Sequence, residues 1–146
     1  MKTVALTILL SITALLSGCR TGGVVLRETP MSVSETRRAV VSVIGEPRSV
    51  SQNGREITSR FYDRKDKAIA KMEMARERLF THITILGDRR PYDIQVQVVV
   101  EGRNDDGGFD VIDRNDDKAA IVAEKLRQAL NQSRENRNVI DDFRSF

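Results

Sequence analysis

Between Tyr92 and Glu101 the chain reads YDIQVQVVVE. Ile94, Val96, Val98 and Val100 alternate with Gln95 and Gln97. A period of two puts one face of a strand in a core and the other toward water. Such a strand needs paired neighbours for its backbone and a cover for its apolar face. Two further strand-like runs flank it, Phe80–Leu86 (FTHITIL) and the short Phe109–Asp113. The connections, Gly87–Pro91 and Gly102–Gly108, are short and rich in Gly, Asp and Asn. Short turns join antiparallel strands, so this region predicts a three-stranded antiparallel meander.

Two helices can supply the cover. Ser32-x-x-Glu35 is a capping box ahead of Val33, Val40, Val41 and Ile44, which share a stripe at helical spacing. Gly45 and Pro47 stop that helix, while Arg37 and Arg38 flank the stripe. The second helix is expected over 117–131, capped by Asn115 or Asp116, with acids in its first turn. Ala119, Val122, Ala123, Leu126, Ala129 and Leu130 form its buried stripe, and the alanines permit close packing on a sheet. Lys65 to Arg78 (KDKAIAKMEMARER) is rich in good helix formers and predicts a third helix, with a thin stripe of Ala68, Met72, Ala75 and Leu79. After Asn131 the tail is polar and then carries Val139, Ile140, Phe143 and Phe146, expected to dock on the protein's own core.

Arg48–Gln52 and Arg55–Asp63 read as a hairpin around Asn53-Gly54, a pair that accepts the positive φ angles of a type I′ turn. Alternation there places Ile57, Ser59 and Phe61 on one face and Thr58, Arg60 and Tyr62 on the other. The succession over 31–62 is helix, Gly45-x-Pro47, strand, a turn with Gly54, and an aromatic strand ending in Tyr62. It resembles the core pattern of small outer-membrane lipoproteins of the BamE/SmpA type. That resemblance implies an accessory role in outer-membrane β-barrel assembly or maintenance. The chain beyond Tyr62 departs from that family's pattern.

The N-terminus carries a different kind of signal. Lys2 precedes Val4–Leu16, an uncharged run dominated by Val, Ala, Leu and Ile. The run is too short to cross a bilayer, which takes about 20 apolar residues, and it suits the core of an export signal. It leads directly into Leu16-Ser17-Gly18-Cys19. These four residues resemble the lipobox of bacterial lipoproteins. The resemblance implies cleavage between Gly18 and Cys19 and acylation of Cys19. Two or more acyl chains anchor stably, at about 0.8 kcal/mol per buried methylene. Arg20 follows the cysteine where an Asp would imply retention in the inner membrane. The implied place is therefore the outer membrane, facing the periplasm, or the outer face of the plasma membrane in a bacterium with one membrane. The division expected is a cleaved signal over 1–18, a lipidated tether over 19–30 and a single domain over 31–146. Gly22-Gly23 and Pro30 mark the tether as irregular, although Val24, Val25 and Leu26 can form an edge strand.

Few side chains suggest chemistry. One cysteine and one histidine exclude an intrachain disulfide and a Cys/His zinc cluster. His82 stands in an alternating strand and reads as structural. The acidic loops Asn104–Gly108 and Asp113–Asp117 fail the calcium-loop register, because Gly at position 6 puts Arg103 or Gly102 first. They are assigned to turns and helix capping. Residues 20–90 carry 15 basic and 9 acidic side chains and residues 91–146 carry 8 and 12, so the two halves attract each other. The sequence shows no interleaving of basic and aromatic residues, and export disfavours a nucleic-acid partner.

The expected architecture is α+β, an antiparallel sheet of about five strands with helices packed on one face, in the order α-β-β-α-β-β-β-α. The expected function is that of a non-catalytic, membrane-anchored envelope lipoprotein that tethers or binds another envelope component, with no cofactor and no metal. The expected partner is an envelope protein, with the membrane engaged through the N-terminal lipid. The alternatives are a small-ligand carrier, marked by an apolar cavity between sheet and helices, and an enzyme on envelope glycan or lipid, marked by a carboxylate pair of raised pKa.

Overall fold

The computed structural model describes residues 22–143, with side chains to residue 136. Gly18, Cys19 and the signal segment lie outside the described residues, as do Phe146 and the side chains of Val139, Ile140 and Phe143.

The elements are β1 (Val24–Thr29), α1 (Val33–Ile44), β2 (Ser49–Val50), β3 (Glu56–Thr58), β4 (Glu77–Leu86), β5 (Tyr92–Arg103), β6 (Phe109–Arg114) and α2 (Asp116–Phe143). A single 3₁₀ turn, Met72–Met74, lies between β3 and β4. All strand pairings are antiparallel, in the order β1-β5-β4-β3-β2. β6 also pairs with β5, beyond β1 on the same edge, because β5 is long enough to hold β1 along Tyr92–Val96 and β6 along Val99–Arg103. The architecture is the α+β one expected, with six strands and two helices among the described residues, both helices on one face of the sheet.

The helix-side face of the sheet is the core. Ile57, Ile83, Ile94 and Val96 pack against Ala39 and Val40 of α1 and Ala123, Leu126 and Leu130 of α2. A second cluster joins Leu79, Val98 and Val100 to Ala119. The α2 stripe is the one the sequence predicts, with Val122 and Ala129 half-buried at its margin. Asn115 caps this helix, its Oδ1 accepting the Lys118 N–H at 2.9 Å. The α1 capping box is present in full: Ser32 Oγ accepts from Glu35 N–H and Glu35 Oε2 accepts from Ser32 N–H. The α1 stripe is rotated from its expected position. Thr36, Ala39 and Val40 are buried, whereas Val41 is exposed at the margin.

Four further expectations need correction. The stretch read as a tether is a strand from Val24 onward, and Leu26 within it is only 5% exposed. The helix expected over 65–78 is absent. Asp63 Oδ1 accepts the N–H groups of Lys65 and Lys67, Asp66 adopts φ 61°, and Ala68 returns to bridge Tyr62. Helix propensity alone cannot hold a helix with so thin an apolar stripe. Extending β4 back to Glu77 instead buries Leu79 completely enough to leave 1% exposed. The Asn53-Gly54 turn is not type I′. Only Gly54 takes a positive φ, 68°, while Asn53 Oδ1 accepts from Arg55 N–H and Ser51 Oγ. Finally, α2 continues through the expected polar tail to Phe143, 28 residues and about 42 Å in all.

Candidate functional site

The register between β3 and the start of β4 slips by one residue. Ile57 pairs with Ile83 and Thr58 with His82, but Tyr62 pairs with Leu79. One slipped residue reverses the faces. Tyr62 therefore joins the helix-side cluster with Leu79 and Val98, and Phe61 turns to the opposite face, against Phe80. The sequence expectation, with Ser59 and Phe61 together and Tyr62 opposite, holds only up to this bulge.

The slip opens a groove of about 350 Å³ at the C-terminal end of α1. Val43 and Ile44 form one wall, Val122 another, and Tyr62 and Ala68 a third. Its floor is polar. Tyr62 Oη and Thr81 Oγ1 are hydrogen bonded at 2.9 Å, and Ser59 Oγ accepts the Thr81 N–H at 2.8 Å. Burial raises the Tyr62 pKa above its ordinary value, against an opposing effect of the Thr81 hydrogen bond, and the nearby Asp66 carboxylate raises it further. The phenol thus stays protonated at neutral pH and can donate or accept one hydrogen bond. Two ion pairs cross the rim: Lys118 Nζ to Asp66 Oδ1 at 2.5 Å, and Arg60 to Glu46. An apolar groove with a hydroxyl floor can bind an apolar side chain or chain segment bearing a single polar group.

Among the described residues no helix covers the opposite sheet face. Alternating guanidinium groups and rings cross it. Arg48 lies 3.9 Å from the Phe61 ring centre, Arg78 lies 3.9 Å from Phe61 and 3.8 Å from Phe109, and Phe61 meets Phe80 edge to face at 5.8 Å. Arg78 Nε also donates to Glu101 Oε2 at 2.6 Å. The fold therefore builds the basic–aromatic interleaving that the linear sequence lacks. Its signal was hidden because Arg48, Phe61, Arg78 and Phe109 come from four separate segments. The ring faces are covered by guanidinium groups of this same chain, which leaves Phe61 no free face for stacking a base.

His82 stands between Thr58 and Gln97 in the sheet register, with no carboxylate opposite. Among the described residues no three His, Cys, Asp or Glu side chains converge as a metal site. The loop Asn104–Gly108 closes the β5–β6 hairpin through Gly107 N–H to Asn104 O at 3.1 Å. The carboxyl groups of Asp63 and Glu77 are both held below their ordinary pKa. Backbone N–H groups, that of Lys67 first, lower Asp63, and a two-point contact with Arg64 lowers Glu77. Both side chains are acceptors held in their charged state, the opposite of what a general acid needs.

The class this defines is an open antiparallel sheet with an antiparallel helix pair on one face and a groove at the end of the first helix. No family model, no curated protein and no solved structure matches the chain.

Proposed function

We propose that the protein is a membrane-anchored envelope lipoprotein, non-catalytic, that binds another cell-envelope component through the groove at the end of α1. The observation that carries this is the spacing between the lipobox and the fold. β1 begins at Val24, five residues after Cys19. Five residues span at most about 17 Å, so acylation of Cys19 would hold the groove close to a bilayer. Tethering of that kind raises the effective concentration of any partner in or near the same membrane. Arg20 after the cysteine favours the outer membrane, facing the periplasm. The resemblance of 31–62 to BamE/SmpA-type lipoproteins supports outer-membrane assembly or maintenance as the process served. Among the described residues no helix is long and apolar enough to cross a membrane.

The small-ligand carrier is the second reading, favoured by the volume and apolar walls of the same groove. One experiment separates the two. A photo-crosslinking residue is placed at Ile44 in cells, in the parent and in Cys19→Ala, with acylation followed by radiolabelled palmitate. The proposal expects label on the parent alone and a protein adduct at Ile44 that weakens sharply in Cys19→Ala. A parent that takes up no label refutes the anchor. A labelled parent whose adducts are only small molecules selects the carrier.

A further inference from the structure

β1 does not run straight. Leu26 pairs with Ile94 and Thr29 with Tyr92, which leaves Arg27 and Glu28 opposite Asp93 alone. This is a β-bulge, a device that re-aims side chains at a sheet edge. Glu28 takes φ 57°, in the left-handed region that side chains other than glycine rarely occupy. Its N–H is donated to Asp93 Oδ1 at 2.9 Å, which holds the bulge in place. Strained positions of this kind cluster at ligand sites.

The bulge forms one side of a groove of about 370 Å³, whose other side is the middle of α2. The base is apolar, with Leu26, Met31 and Leu130 all nearly inaccessible to solvent. The rim is cationic. Arg27 comes from the bulge, and Arg127 and Arg134, seven residues apart and so on one face of the helix, come from α2. Arg127 is paired with Glu124 at 2.5 Å. Neither Arg27 nor Arg134 has a carboxylate partner among the described residues. Among the described residues Glu28 is the one acid that lines the groove.

We propose that this groove binds a phosphate group. A carboxylate offers two oxygens and is saturated by one guanidinium fork, whereas a phosphate offers three or more and can engage arginines from two directions. Arg27 lines the groove from a strand and Arg134 lines it from a helix, so an anion seated between them is offered donors from two sides. The inference concerns the folded body and does not depend on acylation of Cys19. Two sources share this chemistry: free phosphate and the headgroup of a phospholipid.

The test uses the full-length chain in a non-ionic detergent and isothermal titration calorimetry at low salt. The probes are inorganic phosphate and dihexanoyl phosphatidylglycerol below its micellar concentration. Arg27→Gln/Arg134→Gln is compared with the parent and with Arg37→Gln/Arg38→Gln, whose arginines are exposed on α1 away from the groove. Arg134→Gln alone, at an exposed helical position, guards against a folding defect in the double variant. The expected result is at least a tenfold loss of affinity in the groove double variant, a smaller loss in Arg134→Gln, and none in the α1 variant. Binding of both probes assigns the site to the phosphate itself, and binding of the lipid alone assigns it to a headgroup. Equal affinity in the parent and the groove variants, or no binding of either probe by the parent, overturns the proposal.

Discussion

Leu26→Ala tests whether the segment after the lipobox belongs to the cooperative fold. Leu26 is 5% exposed and packs with Ile94, Val96, Leu126 and Leu130. The substitution removes three carbons, about 2.4 kcal/mol of transfer free energy at about 0.8 kcal/mol each. A residual cavity adds to this, and buried Leu→Ala changes cost roughly 2–5 kcal/mol in total. β1 is an edge strand paired only with β5, so its backbone can settle into part of the void. The cost is therefore expected near the lower end, about 2–3 kcal/mol. A domain of this size loses roughly 3–4 °C of Tm per kcal/mol, which gives a fall of about 6–12 °C. Far-UV circular dichroism melts of the full-length chain in non-ionic detergent read this directly. Val25→Ala, next in sequence but 41% exposed, is the control and should cost under about 1 kcal/mol. A Leu26→Ala melt within about 2 °C of the parent would refute the reasoning, because β1 would then lie outside the folding unit.

Thr36→Val should stabilise the protein by about 1–2 kcal/mol, since Thr36 is fully buried, its hydroxyl has no hydrogen-bond partner among the described residues, and valine keeps its shape; a lower midpoint in urea would contradict this. Arg78→Ala should cost about 2–3 kcal/mol, because Arg78 and Glu101 are mostly buried as a pair and Arg78 also covers two rings. In a double-mutant cycle with Glu101→Ala the two losses should fall short of additivity by about 1 kcal/mol, and strict additivity would show that the pair contributes nothing. Glu77 and Asp63 have folded pKa values below their unfolded ones, so the unfolded chain binds more protons in acid. Their contribution is complete above the unfolded carboxyl range and is lost as pH falls through it, from about pH 5 downward. The urea midpoint of the parent should thus fall more steeply between pH 5 and 3 than that of Glu77→Gln, and equal slopes would exclude the Arg64–Glu77 contact as a source.

The two groove-forming irregularities could not be read in advance, for a common reason. Nothing in SVSQNGREITSRFY marks where a strand will slip, because Ser59 and Arg60 fit either register. The slip is decided by what each face gains: Tyr62 reaches Thr81 and the helix-side cluster, while Phe61 reaches Phe80 and two arginines. The bulge at Arg27–Glu28 is equally silent, since a glutamate gives no hint of a left-handed backbone. It is fixed by Asp93, 65 residues away. The segment 65–78 misled in the other direction. Its composition favours a helix, but Leu79 gains more as part of β4, and Asp63 captures the N–H groups of Lys65 and Lys67 that a helix would need.

Local signals, by contrast, were sufficient for much of the architecture. The alternation of Tyr92–Glu101 set the central strand and its buried face, and the capping box at Ser32 set the start of α1 to the residue. The stripe from Ala119 to Leu130 set the face of α2 that lies on the sheet. Each of these depends on residues within a turn or two of one another, where periodicity and capping are decided. The bulges, the guanidinium–ring array and both grooves depend on partners from distant segments. Their cost and gain exist only once the sheet is assembled, so tertiary structure alone decided them.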